Sequence, residues 1–388
     1  MVGPSRRLGR TVNVADVMAL GRRRLPRLVA EFIDGGAEDE ATVAANRRAF
    51  ADWDFAPRAL VGVARRSLGV TVLGEPLALP VVLSPTGLAR LAHREGEAAA
   101  ARAAGQAGTA FTLSTGSSCS IEEVASAAAG PLWFQLYLWR DRALVEQLLD
   151  RAAAAGYRAL VLTVDVPVMG RRERDVRNGM TIPPRFTPAT ALDVLRRPAW
   201  LAGLVRGPSI TFANLVGVPG RGRGAAELGR YTNEELVNPG ADWETLAWVR
   251  HRWSGPLAVK GILRPDDARR AVDAGADGIV VSNHGGRQLD GALPALRALP
   301  AVVDAVGGRA DVILDGGVRR GADVAKALAL GAKAVSIGRP YLMGLAAAGE
   351  PGVAAVLRML RDELDSTLAL LGCPSPSGLD RDLLVPAG

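Results

Sequence analysis

From Leu79 onward the chain alternates short apolar runs with longer amphipathic ones. The apolar runs fall at 81–84, 109–113, 132–136, 159–164, 256–260, 278–282, 311–314 and 334–337. Each is rich in Val, Ile, Leu or Ala and too short for a buried helix, which reads as a strand covered on both faces. Ala-rich stretches with helical spacing lie between them, among them 95–106, 144–155, 265–274 and 321–330. These four end at Gly105, Gly156, Gly275 and Gly331, where a residue free to adopt positive φ closes a helix. Eight strands alternating with helices predict an α/β protein, a parallel (β/α)8 barrel of the TIM type over 79–372.

The flanks are less regular. Residues 1–10 read as a disordered, Arg-containing start, and 11–78 as an N-terminal helical cap. Positions 14–32 have helical spacing, with Leu25-Pro26 opening a second helix. An acidic loop at 34–40 leads to another helix through Asn46 and Phe50, and 53–76 reads as short strands covering one end of the barrel. The whole, 1–388, is expected to be a single domain. Its spacing breaks once, between Thr163 and Lys260, which predicts an insertion after the fourth barrel strand, at 176–240. The middle of that insertion, from Phe186 to Phe212, sets Trp200, Leu201, Leu204 and Val205 among Arg196, Arg197 and Arg206. Two readings stand: an amphipathic segment that touches a membrane surface, or a mobile lid over the active site.

Composition narrows the classes. Hydrophobic residues make up 48% of 388, enough for a large core, and the formal charge is +7. The basic residues are spread along the chain rather than massed. Of 47, only Lys260, Lys326 and Lys333 are lysine. That is an arginine habit rather than a nucleic-acid groove, and no nucleic-acid partner is expected. Cys119 and Cys373 stand far apart without metal-ligand spacing, so neither a disulfide framework nor a metal site is expected. No run of 18 apolar residues and no signal-peptide pattern occurs, which predicts a cytoplasmic protein, at most peripheral on the membrane.

In a barrel, the C-terminal strand ends build the site. The ends here read Ser84-Pro85-Thr86-Gly87, Ser114-Thr115-Gly116, Gln135-Leu136-Tyr137, Thr163-Val164-Asp165, Lys260-Gly261, Ser282-Asn283-His284, Asp315-Gly316-Gly317-Val318-Arg319 and Gly338-Arg339. By alternation Gln135 and Tyr137 share a face, as do Thr163 and Asp165. A lysine is informative in a chain that hardly uses it. His284 can exchange a proton near neutral pH, and Arg287, with Arg172 after strand four, can grip a carboxylate with paired hydrogen bonds. Glycine-plus-arginine turns at the last two strands suit a phosphate. A histidine base, two arginine clamps, a phenol, a lysine and a phosphate site leave the hard chemistry to a bound nucleotide.

The most specific stretch is Ser-Asn-His-Gly-Gly-Arg-Gln-Leu-Asp at 282–290. Leu-Thr-Val-Asp at 162–165, Val-Lys-Gly at 259–261, Asp-Gly-Gly-Val-Arg at 315–319 and Gly-Arg-Pro at 338–340 accompany it. With these motifs the chain, from about Leu25 to Cys373, resembles the FMN-dependent α-hydroxy acid dehydrogenases and oxidases, a family that includes L-lactate dehydrogenase, glycolate oxidase and mandelate dehydrogenase. The resemblance implies FMN as cofactor and a homotetramer. It makes His284 the base that takes the hydroxyl proton, Asp165 its partner, Arg172 and Arg287 the carboxylate clamps, and Tyr137 the hydroxyl-binding phenol. Lys260 would lie at the flavin N1/O2 edge. Pro85, Thr86, Gly87, Ser114, Gln135, Thr163 and Ser282 would contact the isoalloxazine and ribityl chain. Asp315, Gly316, Gly317, Val318, Arg319, Gly338 and Arg339 would take the ribityl and phosphate end.

Two positions depart from relatives. Phe32 stands where many members have a second substrate tyrosine, and Gly116 where glycolate oxidase has a tryptophan. One loses a hydroxyl and the other a bulky ring, which points to a larger or aromatic (S)-2-hydroxy acid, mandelate-like, or to lactate. The electron acceptor is left open between oxygen and a quinone, the basic insertion favouring a membrane quinone. Two alternatives share the fold: an FMN-dependent tailoring oxidase of a peptide or natural product, and an FMN-dependent isomerase, for which carboxylate clamps serve no purpose. His93, His251 and Cys119 read as packing or surface residues.

Overall fold

The computed structural model describes residues 8–181, 185, 187–216 and 238–388. Three short strands precede the barrel: Trp53–Phe55 (β1), Val70–Val72 (β2) and Glu75–Leu77 (β3). The barrel strands are Val81–Leu83 (β4), Phe111–Ser114 (β5), Leu132–Tyr137 (β6), Ala159–Thr163 (β7), Leu257–Ile262 (β8), Gly278–Val281 (β9), Asp311–Asp315 (β10) and Ala334–Ile337 (β11). All eight pair in parallel with their sequence neighbours, and β11 pairs with β4 to close the ring. Leu384–Pro386 (β12) returns to pair antiparallel with β1, tying the C-terminus to the cap. The predicted (β/α)8 barrel is therefore the fold.

Alternation along each strand decides what goes where. One set of residues (Val81 and Leu83, Leu113, Phe134 and Leu136, Leu160 and Leu162, Val259, Ile279 and Val281) faces the surrounding helices and belongs to the main core. The alternate set fills the barrel: Val82, Ala110, Trp133, Ala159, Val161, Ala258, Val280, Ile313 and Ala334 form a separate apolar cluster. The hairpin β2–β3 closes this cluster from below with Val72, Leu73 and Leu77. Of the stretch 53–76, Val72 and Leu73 reach the end of the barrel, whereas Trp53–Phe55 pairs with the C-terminal strand. Two residues further up the same inward rows stand Ser84, Gln135, Thr163, Lys260, Ser282, Asp315 and Ser336, all buried. A period-two pattern thus builds an apolar plug below and a polar floor above.

The cap helices Val14–Arg24 and Arg27–Asp34 follow the predicted split at Leu25-Pro26, with Pro26 at the N-cap of the second. The helix Ala41–Arg48 follows the acidic loop. In the insertion, the short helix Glu173–Asn178 precedes two more, Pro188–Leu195 and Pro198–Arg206, neither of which buries a residue. Residues 182–184, Phe186 and 217–237 of the insertion, and 1–7 of the start, lie outside the described residues. No described helix is long and apolar enough to cross a membrane.

Candidate active site

A cavity opens at the C-terminal end of the barrel, above the polar floor. Its wall contains Pro85, Thr86, Gly87, Ser114, Gly116, Tyr137, Arg172, Lys260, His284, Arg287, Asp315, Gly316, Gly317, Val318, Arg319, Gly338, Arg339 and Phe32. Gln135, Thr163 and Ser282, expected as cofactor contacts, lie in the floor rather than the wall. They act there as connectors: Ser114 Oγ donates to Gln135 Oε1 at 2.9 Å, and Gln135 Nε2 to Thr163 Oγ1 at 3.0 Å.

The floor organises one charge. Lys260 Nζ lies 3.1 Å from Ser282 Oγ and 3.3 Å from Asp315 Oδ2, with only 5% of its side chain exposed. Ser282 Oγ donates to the same Asp315 oxygen at 2.7 Å, and Ser84 Oγ to the other at 2.8 Å. Burial alone would lower the lysine pKa, but Asp315, Asp165 and Tyr137 hold it above its usual value, so the ammonium stays charged at the cavity edge. Gly261, next along, has φ +109, and a Cβ there would meet Asp165 Cβ and Cγ at 2.6 Å. The Lys-Gly pair thus lets a carboxylate approach the strand.

That carboxylate carries the base. Asp165 Oδ1 sits 2.9 Å from His284 Nδ1, which leaves Nε2 for the cavity. Burial raises the carboxyl pKa, but the imidazole and Lys260 pull it below the ordinary range. Burial lowers the imidazole pKa, only partly opposed by Asp165 and assisted by Lys260 and Arg172, so His284 is neutral and able to accept a proton. His284 has φ +58, a left-handed conformation uncommon outside glycine. Its backbone N–H is fixed on Ser282 Oγ at 3.0 Å. The Tyr137 ring stacks near the imidazole, centroids 6.5 Å apart and 23° between planes.

The two arginines are placed differently. Arg287 is anchored, its Nη1 donating to the carbonyls of Phe32 and Gly35 at 2.9 and 2.7 Å, with its guanidinium carbon 5.3 Å from the Phe32 ring centroid. Arg172 Nε is buried without a protein hydrogen bond. Burial depresses both pKa values, and that of Arg287 is lowered further by Arg172 and Arg339. Like charges held together out of water call for an anion. Arg171, the chain neighbour of Arg172, is turned to solvent with 78% of its side chain exposed. Asp175, which sequence reasoning did not single out, is buried near both clamps. Its Oδ1 has no partner, and burial pushes its pKa to about 6 against the pull of Arg287 and Arg172.

The far end of the cavity suits a phosphate. Gly316 and Gly317 have φ +116 and +84, and a Cβ on Gly317 would strike the Asn46 carbonyl. The helix Arg339–Ala348 starts there, with first-turn N–H groups free by geometry. Burial, with Arg339 and Arg47 nearby, lowers the Arg319 pKa to about 10, and a dianion would relieve that crowding. The Arg339 guanidinium, also in the cavity wall, donates to the carbonyls of Ile33, Gly285 and Gly35 at 3.2, 2.8 and 2.8 Å, which fixes its position there. A walled slot with a cation at one edge and a glycine-and-arginine pocket at its end fits FMN.

Sequence reasoning missed the apolar wall. Trp139, Val166, Met169, Phe212 and Leu215 line the cavity beside Phe32. Trp139 was findable, because it continues the face shared by Gln135 and Tyr137. The others come from loops without periodicity. Phe212 alters the reading of Gly116: a Cβ there would sit 3.7 Å from the Phe212 ring. The room left by the missing side chain is edged by an aromatic ring from the insertion.

Comparisons with known proteins identify the family and the fold. The family model for FMN-dependent dehydrogenase matches residues 21–386. An L-lactate dehydrogenase of Caulobacter sp. is 44% identical over 373 residues, 96% of this chain and 98% of that protein. An L-lactate oxidase of Nostoc sp. is 45% identical over 378 residues, 96% and 98% of the two chains. The crystal structure of a monotopic membrane protein, (S)-mandelate dehydrogenase, superposes with a TM-score of 0.93 at 42% identity, covering 97% of this chain and 100% of that one.

Proposed function

The chain belongs to the FMN-dependent dehydrogenase family, whose members oxidise 2-hydroxy acids, and we propose that its own substrate is an (S)-2-hydroxy acid with a large or aromatic side chain. The observation that carries this is the substrate side of the cavity. Phe32, Trp139, Val166, Met169, Phe212 and Leu215 form an apolar, aromatic wall next to the clamps and the base. Burying a phenyl ring against such a wall is favourable by roughly 2 kcal/mol, a gain that glycolate cannot realise.

In the proposed reaction, Arg172 and Arg287 hold the substrate carboxylate and so fix the carbinol in front of His284. Tyr137 adds a donor toward the same end. His284 Nε2 takes the hydroxyl proton while Asp165 keeps the opposite nitrogen protonated and stabilises the imidazolium that forms. FMN, when bound, would supply the two-electron acceptor for oxidation of the carbinol, so that the product would be the 2-oxo acid. Lys260 holds a positive charge at the cofactor edge, and the apolar wall excludes water from the base.

Peripheral membrane contact through the insertion, with a quinone as electron acceptor, belongs to the same proposal. The helices Pro188–Leu195 and Pro198–Arg206 expose Leu192, Leu195, Leu204 and Val205 (50%, 66%, 40% and 75%), and the similar mandelate dehydrogenase is described as a monotopic membrane protein. The residues just after them, Phe212 and Leu215, edge the cavity, so membrane contact and lid fall to successive parts of one insertion. A homotetramer is the assembly the family resemblance implies. The test is anaerobic mixing of the FMN-loaded protein with S-mandelate, S-lactate and glycolate, following loss of oxidised flavin absorbance. Fast bleaching with mandelate and slow bleaching with glycolate is expected. Equal rates would refute the size preference, and no bleaching by any of the three would move a tailoring oxidase to first place.

A further inference from the structure

Away from the barrel mouth, a cleft of about 840 Å³ lies between the end of the helix Val14–Arg24, the turn at 90–94 and the helix Pro198–Arg206. We propose that this cleft is a phosphate-binding site for the headgroup of an acidic phospholipid, an inference that rests on the membrane contact proposed above.

The charge is one-sided. Arg23 and Arg24, Arg90 and Arg94, Arg196 and Arg197, and Arg206 all line the cleft, and among the described residues no aspartate or glutamate does. Three of these are occupied: Arg24 donates to the Ala347 carbonyl, Arg90 pairs with Glu123, and Arg197 Nε donates to the Leu25 carbonyl at 3.1 Å with Asp193 3.9 Å away. The side chains of Arg23, Arg94, Arg196 and Arg206 are exposed and make no hydrogen bond or ion pair with the described residues. A plainer explanation is that arginines at helix C-termini stabilise the dipole. Arg23 and Arg24, Arg196 and Arg206 do stand at such ends. Each end offsets only about half a charge. With Glu123 and Asp193 counted as well, the cleft keeps a net charge of roughly three to four. Arg94 stands at no helix end, and the dipole argument does not cover it.

The lining also has an apolar part, which favours a lipid over a free anion. Trp200 and Leu204 form part of the wall, and Trp200 Nε1 is fixed on the Leu91 carbonyl at 2.7 Å. Leu204 and Val205 are exposed on the same helix, as are Leu192 and Leu195 on the one before. A phosphate in the cleft with acyl chains lying across these leucines would satisfy both features at once. Inorganic phosphate would use only the first.

The experiment uses the full-length, FMN-loaded protein and flotation with phosphatidylcholine vesicles, with and without phosphatidylglycerol. Three proteins are compared: wild type, the cleft variant R94Q/R196Q/R206Q, and a control that removes three exposed arginines elsewhere, R48Q/R269Q/R358Q. A fourth, L204S/V205S, removes apolar surface alone. Wild type should float with the acidic vesicles and not with the neutral ones. The cleft variant should bind about 150-fold more weakly, from roughly 1 kcal/mol per basic residue at an anionic surface, with the control close to wild type. Turnover of a soluble hydroxy acid with a soluble acceptor should be unchanged in the cleft variant. Equal losses in the cleft and control variants, or a loss confined to L204S/V205S, would overturn the pocket and leave the membrane contact standing. Calorimetric binding of inorganic phosphate without vesicle binding would overturn the lipid assignment. No binding to any vesicle would overturn the membrane contact as well.

Discussion

Replacing Asp165 with asparagine isolates the part of the mechanism most open to measurement. Asparagine preserves the shape, and its carbonyl oxygen can still accept the hydrogen bond from His284 Nδ1, now 2.9 Å from the carboxylate. What disappears is the negative charge opposite an imidazole that must become positive. With charge centres about 4 Å apart and an effective dielectric near 20, that attraction is about 4 kcal/mol, which corresponds to roughly a thousandfold in rate. Because the attraction exists only once His284 is protonated, it belongs to the transition state. Flavin reduction by saturating substrate and kcat/KM should therefore fall together, with little change in KM. The pH profile supplies a second sign. kcat/KM in wild type should rise through an imidazole pKa below the ordinary value of 6.5, since burial outweighs Asp165. Removing Asp165, which raises this pKa, must move the acid limb lower still in Asp165→Asn. Stopped-flow anaerobic reduction across pH reads both effects. A loss under tenfold, or an acid limb that moves upward, would refute the role given to this carboxylate.

Three other substitutions test separate parts of the site. Gly116→Trp places a large ring where Phe212 now lies 3.7 Å from the position of a Cβ; reduction by mandelate should slow at least tenfold relative to glycolate, and an unchanged ratio would remove Gly116 from the specificity argument. Phe32→Tyr adds a hydroxyl beside Arg287, whose guanidinium carbon is 5.3 Å from that ring. One hydrogen bond to a carboxylate is worth about 1.5–3 kcal/mol, so KM should fall roughly ten- to hundredfold, and a rise in KM would mean that the new hydroxyl meets something other than substrate. Asp175→Asn concerns stability. In the folded protein Asp175 holds its proton to about pH 6, whereas the unfolded chain releases it near its ordinary value of about 4. The native state therefore binds more protons between these limits, and this residue's contribution to stability declines as pH rises through that window. The fall should be shallower in Asp175→Asn when Tm is followed against pH, and parallel curves would contradict it.

Much of the fold was legible because the strands obey one rule. Val161-Leu162-Thr163 or Val280-Val281-Ser282 states, in three residues, an inward apolar position, an outward apolar one and an inward polar one. The His284–Asp165 pairing was legible because both residues sit just past strand ends. The substrate wall was harder to see. Val166, Met169, Phe212 and Leu215 come from connections whose course is set by tertiary packing, so no periodicity marks them. Arg339 shows a different limit: its place in the cavity wall follows from its position after a strand end, but its three bonds to backbone carbonyls have no local sequence signal. Composition at a loop names the chemistry available and leaves open which partner claims it.

The cap explains how the base keeps its posture. A left-handed backbone costs a non-glycine residue about 1–3 kcal/mol, and His284 adopts one with φ +58. The neighbouring Asn283 is locked to Asn46 of the cap by two reciprocal amide hydrogen bonds of 2.8 Å. Its Nδ2 also reaches the Leu293 carbonyl at 3.1 Å, and its Oδ1 accepts from the Gly286 N–H at 3.1 Å. The Ala37 N–H donates to the Gly286 carbonyl at 2.8 Å, and Asp290 accepts from the N–H groups of Ala41 and Thr42 at 3.1 and 2.8 Å. At about 1 kcal/mol each, these bonds outweigh the strain. They also tie the cap to the loop after β9: the same 32–37 segment that holds Arg287 and Arg339 by its carbonyls holds the His284 turn by the Ala37 amide. Residues more than two hundred positions apart in sequence thus form one hydrogen-bonded frame, and the turn that carries His284 is held by the cap.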